Sequence, residues 1–327
     1  MTQSPNPTPA EQGKAPAAKR SPIRIRAVTL VLTIYCLLLL ARLIDASILT
    51  RDNEYFAVVV LQMMIFLIPA FAYIRWRGDA LRTNLRLRLF RADHILIILG
   101  ASLALMSGGI LLQLAMGGAQ AGGGSFTLYD TFISKNDGTA GNAAYLILAY
   151  AALPAFCEEL VFRGILCAEY ERHGAVCATL FSMLLFNILH FDLRHAPIYL
   201  FSGLVLCAVL YATRSLFAAI AVHFCYNLFG LFGVPYVTAV YASMGQVWLL
   251  LFVLIVLLLF GAAVFCGEAA RLYRGYATHG DQSREGANAA IPPRESAVRF
   301  LRRLLTPQPL LCLLIYLTVV IVQAVRT

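Results

Sequence analysis

Charge is what this sequence has least of. Asp, Glu, Lys and Arg make up 13% of its 327 residues, against 60% hydrophobic; soluble domains run at roughly a quarter charged and about half apolar. A water-soluble fold could not cover that much apolar surface and is excluded. Eight cysteines contain no Cys-x-x-Cys pair, which removes the usual zinc and thiol-redox spacings and leaves no extracellular disulfide framework. They lie in or beside apolar runs and read as small buried hydrophobes. None of the six histidines is followed by Glu, so the His-Glu-x-x-His zinc motif is absent. Ser202-Gly203 follows Leu200-Phe201, so a Gly-x-Ser-Gly serine motif is missing too. Tyr129-Asp130 has no Gly-x-Gly-Asp partner later in the chain. The first apolar run follows a polar stretch and has no small-residue cleavage site, so no cleavable signal peptide is expected.

What is present is a series of apolar runs, most of them near the ~20 residues that cross a bilayer core. They predict an all-α, polytopic transmembrane helix bundle of about nine spans: Ala27–Ile48, Tyr55–Ile74, His94–Met116, Asn142–Glu171, Val176–His190, Pro197–Tyr211, Ser215–Phe232, Gln246–Cys266 and Leu310–Val325. Residues 1–20, rich in Pro, Ala, Gln and Lys, are expected to be a disordered tail. Residues 21–141 hold the first three spans and an outer Gly-rich loop. Residues 142–232 form a core, and 233–327 the last spans with a basic loop between them.

The net charge of +9 does not point to nucleic acid, because the basic residues cluster in short segments between spans. The N-terminal flank holds Lys14, Lys19, Arg20, Arg24 and Arg26. The second loop is Arg-rich from Arg75 to Arg91, and the last long loop from Arg271 to Arg303. Alternating spans put all three on one side, which the positive-inside rule makes cytoplasmic, so the N-terminus is expected inside and the C-terminus outside. Arg294–Leu305 looks basic and amphipathic, as if lying along that surface. Arg42 and Asp45 read as an outer-surface pair, and Arg194 with His195 as an interfacial turn.

Ionisable groups inside a span cost about 2.5–3.5 kcal/mol each at the helix centre for Asp, Lys or Arg, so those that persist are functional candidates. Here they gather in three spans. The fourth contains Pro154, Glu158, Glu159 and Arg163 in an apolar setting. Glu159 and Arg163 are four apart and share a face; Glu158 points about 100° away, and Pro154 is expected to kink the helix near it. Both acids could simply serve Arg163, although one suffices. The fifth span ends Phe186-Asn-Ile-Leu-His190, and the seventh carries His223-Phe-Cys-Tyr-Asn227. Counted from the helix ends, Glu158, His190, His223 and Asn227 share a layer within the membrane. A carboxylate in apolar surroundings is a stronger base than in water. Imidazole assists it or binds a metal, and an Asn amide can donate to an oxyanion. Two His plus Glu158 would also make a zinc set (His190, His223, Glu158), and the residues alone leave zinc or no cofactor open.

Glu158-Glu159-x-x-x-Arg163, Phe186-x-x-x-His190 and His223-x-x-x-Asn227 resemble the signature motifs of the CAAX prenyl protease and bacteriocin-processing family, over about Asn142–Phe232. The resemblance implies an intramembrane protease, metal-dependent or not. Glu158 would activate water, His190 would assist or ligate, and His223 and Asn227 would stabilise the oxyanion while Arg163 holds Glu159. The implied partners are a membrane-embedded or membrane-tethered peptide and the lipid bilayer, with no nucleic acid. The implied location is a bacterial inner membrane. Two other readings share these residues: an idle scaffold or immunity protein, and a transporter with a proton relay.

Overall fold

The computed structural model describes residues 26–43, 59–116, 140–244, 247–278 and 294–326. Among these the chain is helical and contains no strand. The expected tail, the Arg42–Asp45 pairing, the start of the second span, most of the Gly-rich loop and the segment before Arg294 lie outside the described residues.

In chain order the helices are α1 (Ala27–Leu43), α2 (Val59–Arg77), the short α3 (Asp79–Asn84), α4 (Ile95–Ala115), α5 (Ala143–Tyr170), α6 (Ala175–Leu189), α7 (Ala196–Thr213), α8 (Leu216–Met244), α9 (Val247–Thr278), α10 (Arg294–Leu304) and α11 (Pro307–Arg326). Seven helical segments are long and apolar enough to cross a membrane, and Ala27–Ala41 and Ala175–Leu189 are shorter apolar helices. Each apolar run in the sequence is matched by one of these. The protein is an all-α polytopic membrane bundle. Apolar side chains such as Leu96, Leu99, Phe252, Leu259 and Leu314 stand exposed along it, as a lipid-facing surface requires.

Chain breaks fall where backbone chemistry demands them. Gly78 (φ 74°) ends α2 and Gly174 (φ 101°) separates α5 from α6; this left-handed region costs glycine nothing. Arg214 takes the same kind of conformation (φ 53°) between α7 and α8. The expected kink at Pro154 is absorbed differently. A π-helical stretch, Leu148–Ala152, precedes it directly, as Met63–Leu67 precedes Pro69. Proline lacks an N–H and crowds the carbonyl four residues back, and one wider turn relieves both problems. A third π stretch, Leu160–Leu166, contains no proline and surrounds Arg163.

Packing rests on small residues and on a few polar ties. α4 and α9 cross so closely that a Cβ on Gly261 would come within 2.7 Å of the Ala104 nitrogen and 2.8 Å of the Gly100 oxygen. Small residues permit such approach where no hydrophobic force drives helices together. Ser182 on α6 donates to the Phe162 carbonyl at 3.2 Å, bracing the third π stretch, and Tyr35 donates to the Ile188 carbonyl. At one end of the bundle Glu169 pairs with Arg77 and accepts from the Ala27 N–H at 3.1 Å, while Arg86 pairs with Glu171 at 2.7 Å. Phe300 of α10 meets Phe181 edge-on at 5.1 Å, so the amphipathic segment docks its aromatic face on the bundle. The basic segments therefore gather at one end wherever they are described.

Candidate active site

Helix length sets the depth of the site. The 15 residues of α6 rise about 22 Å, short of the ~30 Å hydrocarbon core. A helix of that length that starts at one face of a bilayer would bring its C-cap residue, His190, to a level within the apolar layer. From the same Gly174 junction, Glu158 lies twelve residues back from Tyr170, about 18 Å at helical rise. The two reach a common level.

The centre is Glu159. It is fully buried, and its Oε1 accepts from Arg163 Nη1 at 2.7 Å and from His223 Nδ1 at 2.8 Å. Arg163, 1% exposed, also donates Nη2 to the Gly203 carbonyl at 3.4 Å and lays its guanidinium 4.4 Å over the Phe186 ring. So α5, α6, α7 and α8 are joined through one ion pair. Gly203 has to be glycine: a Cβ there would meet Met183 of α6 at 2.7 Å.

Glu158 is half-buried and makes no hydrogen bond or ion pair among the described residues; its charged neighbours there are His223, Glu159 and Arg163. The expected division of labour between adjacent acids is thus present in geometry, one acid committed to Arg163 and the other uncommitted. His190 shares its Nδ1 with the Phe186 carbonyl at 2.9 Å and stacks on Tyr199, centroids 3.9 Å apart. A carbonyl oxygen only accepts, so the Nδ1 proton is on that side and Nε2 carries the lone pair when the ring is neutral. The same holds for His223 against the Glu159 carboxylate. Phe186 stands between the imidazoles, 4.9 Å from His190 and 6.0 Å from His223. Asn227 uses one Nδ2 hydrogen on the Ala151 carbonyl at 3.4 Å, in the π stretch ahead of Pro154.

All six motif residues thus belong to one connected region. Sequence reasoning did not find Tyr199, Gly203 or Ala151. Tyr199 sits within electrostatic reach of Glu158 and Asp192, but one tyrosine among fifteen carries no signal by itself. His195, expected at the interface, is buried with Nδ1 2.6 Å from Asp192 Oδ2. Cys157 is buried and free, as are the thiols of Cys167 and Cys207, which approach to 4.0 Å beside Arg163.

Both imidazoles present Nε2 lone pairs with Nδ1 held from behind, the arrangement a metal-ligating or proton-accepting histidine needs. Among the described residues, however, no three His, Cys, Asp or Glu side chains gather closely enough to hold a metal ion. The set His190, His223 and Glu158 does not fit a metal in this arrangement.

An acid–histidine–amide cluster lies inside a polytopic helix bundle, and the class is that of an integral membrane protein. Residues 140–229 match the family model of type II CAAX prenyl endopeptidase Rce1-like proteins, which supports membership of the CAAX prenyl protease and bacteriocin-processing family and, in general terms, the activity of a CAAX-type intramembrane protease. No curated protein and no solved structure matches the chain.

Proposed function

We propose that the protein is an intramembrane endopeptidase of a bacterial inner membrane that cleaves a membrane-embedded or membrane-tethered peptide with a water molecule activated by Glu158. The observation that carries this reading is the split between the two adjacent carboxylates: Glu159 accepts from both Arg163 and His223 through Oε1, and Glu158 makes no such bond among the described residues.

The steps balance without a covalent enzyme intermediate. Water attacks the scissile carbonyl carbon while Glu158, or His190 through Nε2, takes its proton. The carbonyl oxygen becomes an oxyanion, stabilised by the remaining Nδ2 hydrogen of Asn227 and by His223, whose imidazolium form is held by Glu159. The C–N bond then breaks as the group that took the water proton returns it to the leaving amine. Arg163 and Glu159 act through His223, so they position and do not react. The Gly203 carbonyl and the Phe186 ring fix Arg163 in turn.

The test compares wild type with Glu158→Gln and His223→Ala in the native membrane by terminal-peptide mass spectrometry. New peptide termini made only by wild type would name the substrate and establish hydrolysis. Identical termini in all three, with the variants folded, would sink the reading in favour of a scaffold or immunity role. A chelator added to the active protein separates the two water-activation schemes, since the mechanism above predicts no loss.

A further inference from the structure

His190 closes the carbonyl end of α6, and a helix leaves its last four carbonyls without partners from a following turn. Here three of those carbonyls are answered locally. Phe186 accepts from His190 Nδ1 at 2.9 Å, Asn187 from the His190 N–H at 3.2 Å, and Ile188 from the Phe191 N–H at 3.3 Å. The two backbone bonds span three residues instead of four, so the helix tightens as it ends. His190 is both the last residue of this end and the cap on it. Whatever holds the end sets where its Nε2 stands.

The chain then turns at Phe191, with φ 51°. Helices commonly stop in this left-handed region, but usually at a glycine. For a residue with a Cβ the conformation is unfavourable and persists only where the surroundings hold it. Phe191 is 2% exposed, and its ring lies 4.5 Å from that of Tyr35 at an angle of 34°.

Tyr35 of α1 is fully buried, and its hydroxyl donates to the Ile188 carbonyl. One side chain therefore holds the backbone on both sides of His190, through the carbonyl two residues before it and the ring directly after it. On its other side the His190 ring stacks on Tyr199 of α7. Tyr199 meets the imidazole itself, and Tyr35 meets the chain that carries it. α1 lies outside residues 140–229, the part that matches the family model, so the motif-bearing helices are braced by a segment that carries none of the motifs.

We propose that Tyr35 is a positioning residue of the active site, fixing the end of α6 so that the His190 imidazole keeps its working orientation. The proposal rests on the hydrolytic reading above, and its first test does not depend on cleavage. In protein carrying isotope-labelled histidine, the nitrogen resonance of His190 Nδ1, assigned by its loss in His190→Gln, reports the bond to the Phe186 carbonyl. Tyr35→Phe keeps the ring and removes the hydroxyl, and Tyr35→Leu removes both. Val31→Ala opens a space one turn earlier in α1, where Val31 is also buried, and controls for loosened packing. The Nδ1 resonance should move toward that of an unbonded imidazole in Tyr35→Phe, move further in Tyr35→Leu, and stay in place in Val31→Ala. With a cleaved substrate in hand, kcat should fall about threefold to tenfold in Tyr35→Phe and about a hundredfold in Tyr35→Leu, with KM unchanged. Val31→Ala should lower Tm and leave kcat as it was. Tyr35→Phe, which preserves the packed ring, decides alone if Tyr35→Leu does not fold. An unmoved resonance in Tyr35→Phe, an equal shift in Val31→Ala, or a shifted resonance with wild-type kcat would overturn the proposal. The expected shifts in a protein whose wild type cleaves nothing would uphold the hold on His190 and sink the protease reading instead.

Discussion

Replacing Arg163 with Met tests how the site is held together. Arg163 and Glu159 are both essentially inaccessible and meet at 2.7 Å. Taking one charge away leaves the other buried without its partner, which costs about 3–5 kcal/mol, whereas replacing both partners with uncharged groups is often close to neutral. Arg163→Met should therefore be strongly destabilised, while Glu159→Gln/Arg163→Met should recover most of the loss. Solvent screening does not dilute the effect, because neither side chain is exposed. The double variant should nonetheless be slow. His223 would keep an acceptor in the Gln carbonyl and lose the negative charge that holds its imidazolium form. Thermal unfolding in detergent reads the stability arm, and cleavage of a substrate identified by terminal-peptide profiling reads the other. If Arg163→Met proves as stable as the double variant, the ion pair does not hold these helices and the reasoning fails.

Four further outcomes are expected. Gly203→Ala should lower both stability and activity, because its Cβ meets Met183 at 2.7 Å and any retreat of α7 moves the carbonyl off Arg163; a variant of unchanged Tm would contradict the close approach. Tyr199→Leu should keep the fold but lower kcat more than KM, because it removes the stacking surface that orients His190, and Tyr199→Phe should restore kcat; failure of that rescue would argue against stacking. Gly261→Leu should unfold the α4–α9 pair, since the Ala104 backbone stands 2.7 Å from where a Cβ would lie, and unaltered protease resistance of α9 would refute this. The Glu171 carboxyl is pushed above its ordinary range by burial, against the opposing pull of Arg86. Its stabilising share is full below the ordinary carboxyl range and is lost as pH rises through the raised value. Stability should decline over that window, and Glu171→Gln should flatten the decline, as Tm against pH would show.

The cluster's membership was legible because charge inside an apolar run is costly and therefore visible. Glu158, Glu159, Arg163, His190, His223 and Asn227 stand out wherever hydropathy is read, and equal depth follows from counting residues along helices. Glycine at positions 78 and 174 likewise marks breaks that local backbone preference demands. Pro154 was legible as a disturbance but not as a π turn, because whether a helix bends or widens depends on what its freed carbonyls meet. One of them meets Asn227, seventy-six residues away.

By itself the sequence determined the class of protein, the approximate place of each helix and the identity of the polar groups, since all three follow from local composition and from the cost of charge in lipid. Tertiary structure decided which nitrogen of His223 faces Glu159, that Glu159 and not Glu158 takes Arg163 and the imidazole together, and that a glycine carbonyl of α7 accepts from the same guanidinium. It also decided that Tyr35 of α1 meets the end of α6 beside His190. These are matters of helix rotation and close approach, fixed by packing between segments far apart in the chain, and no local pattern encodes them.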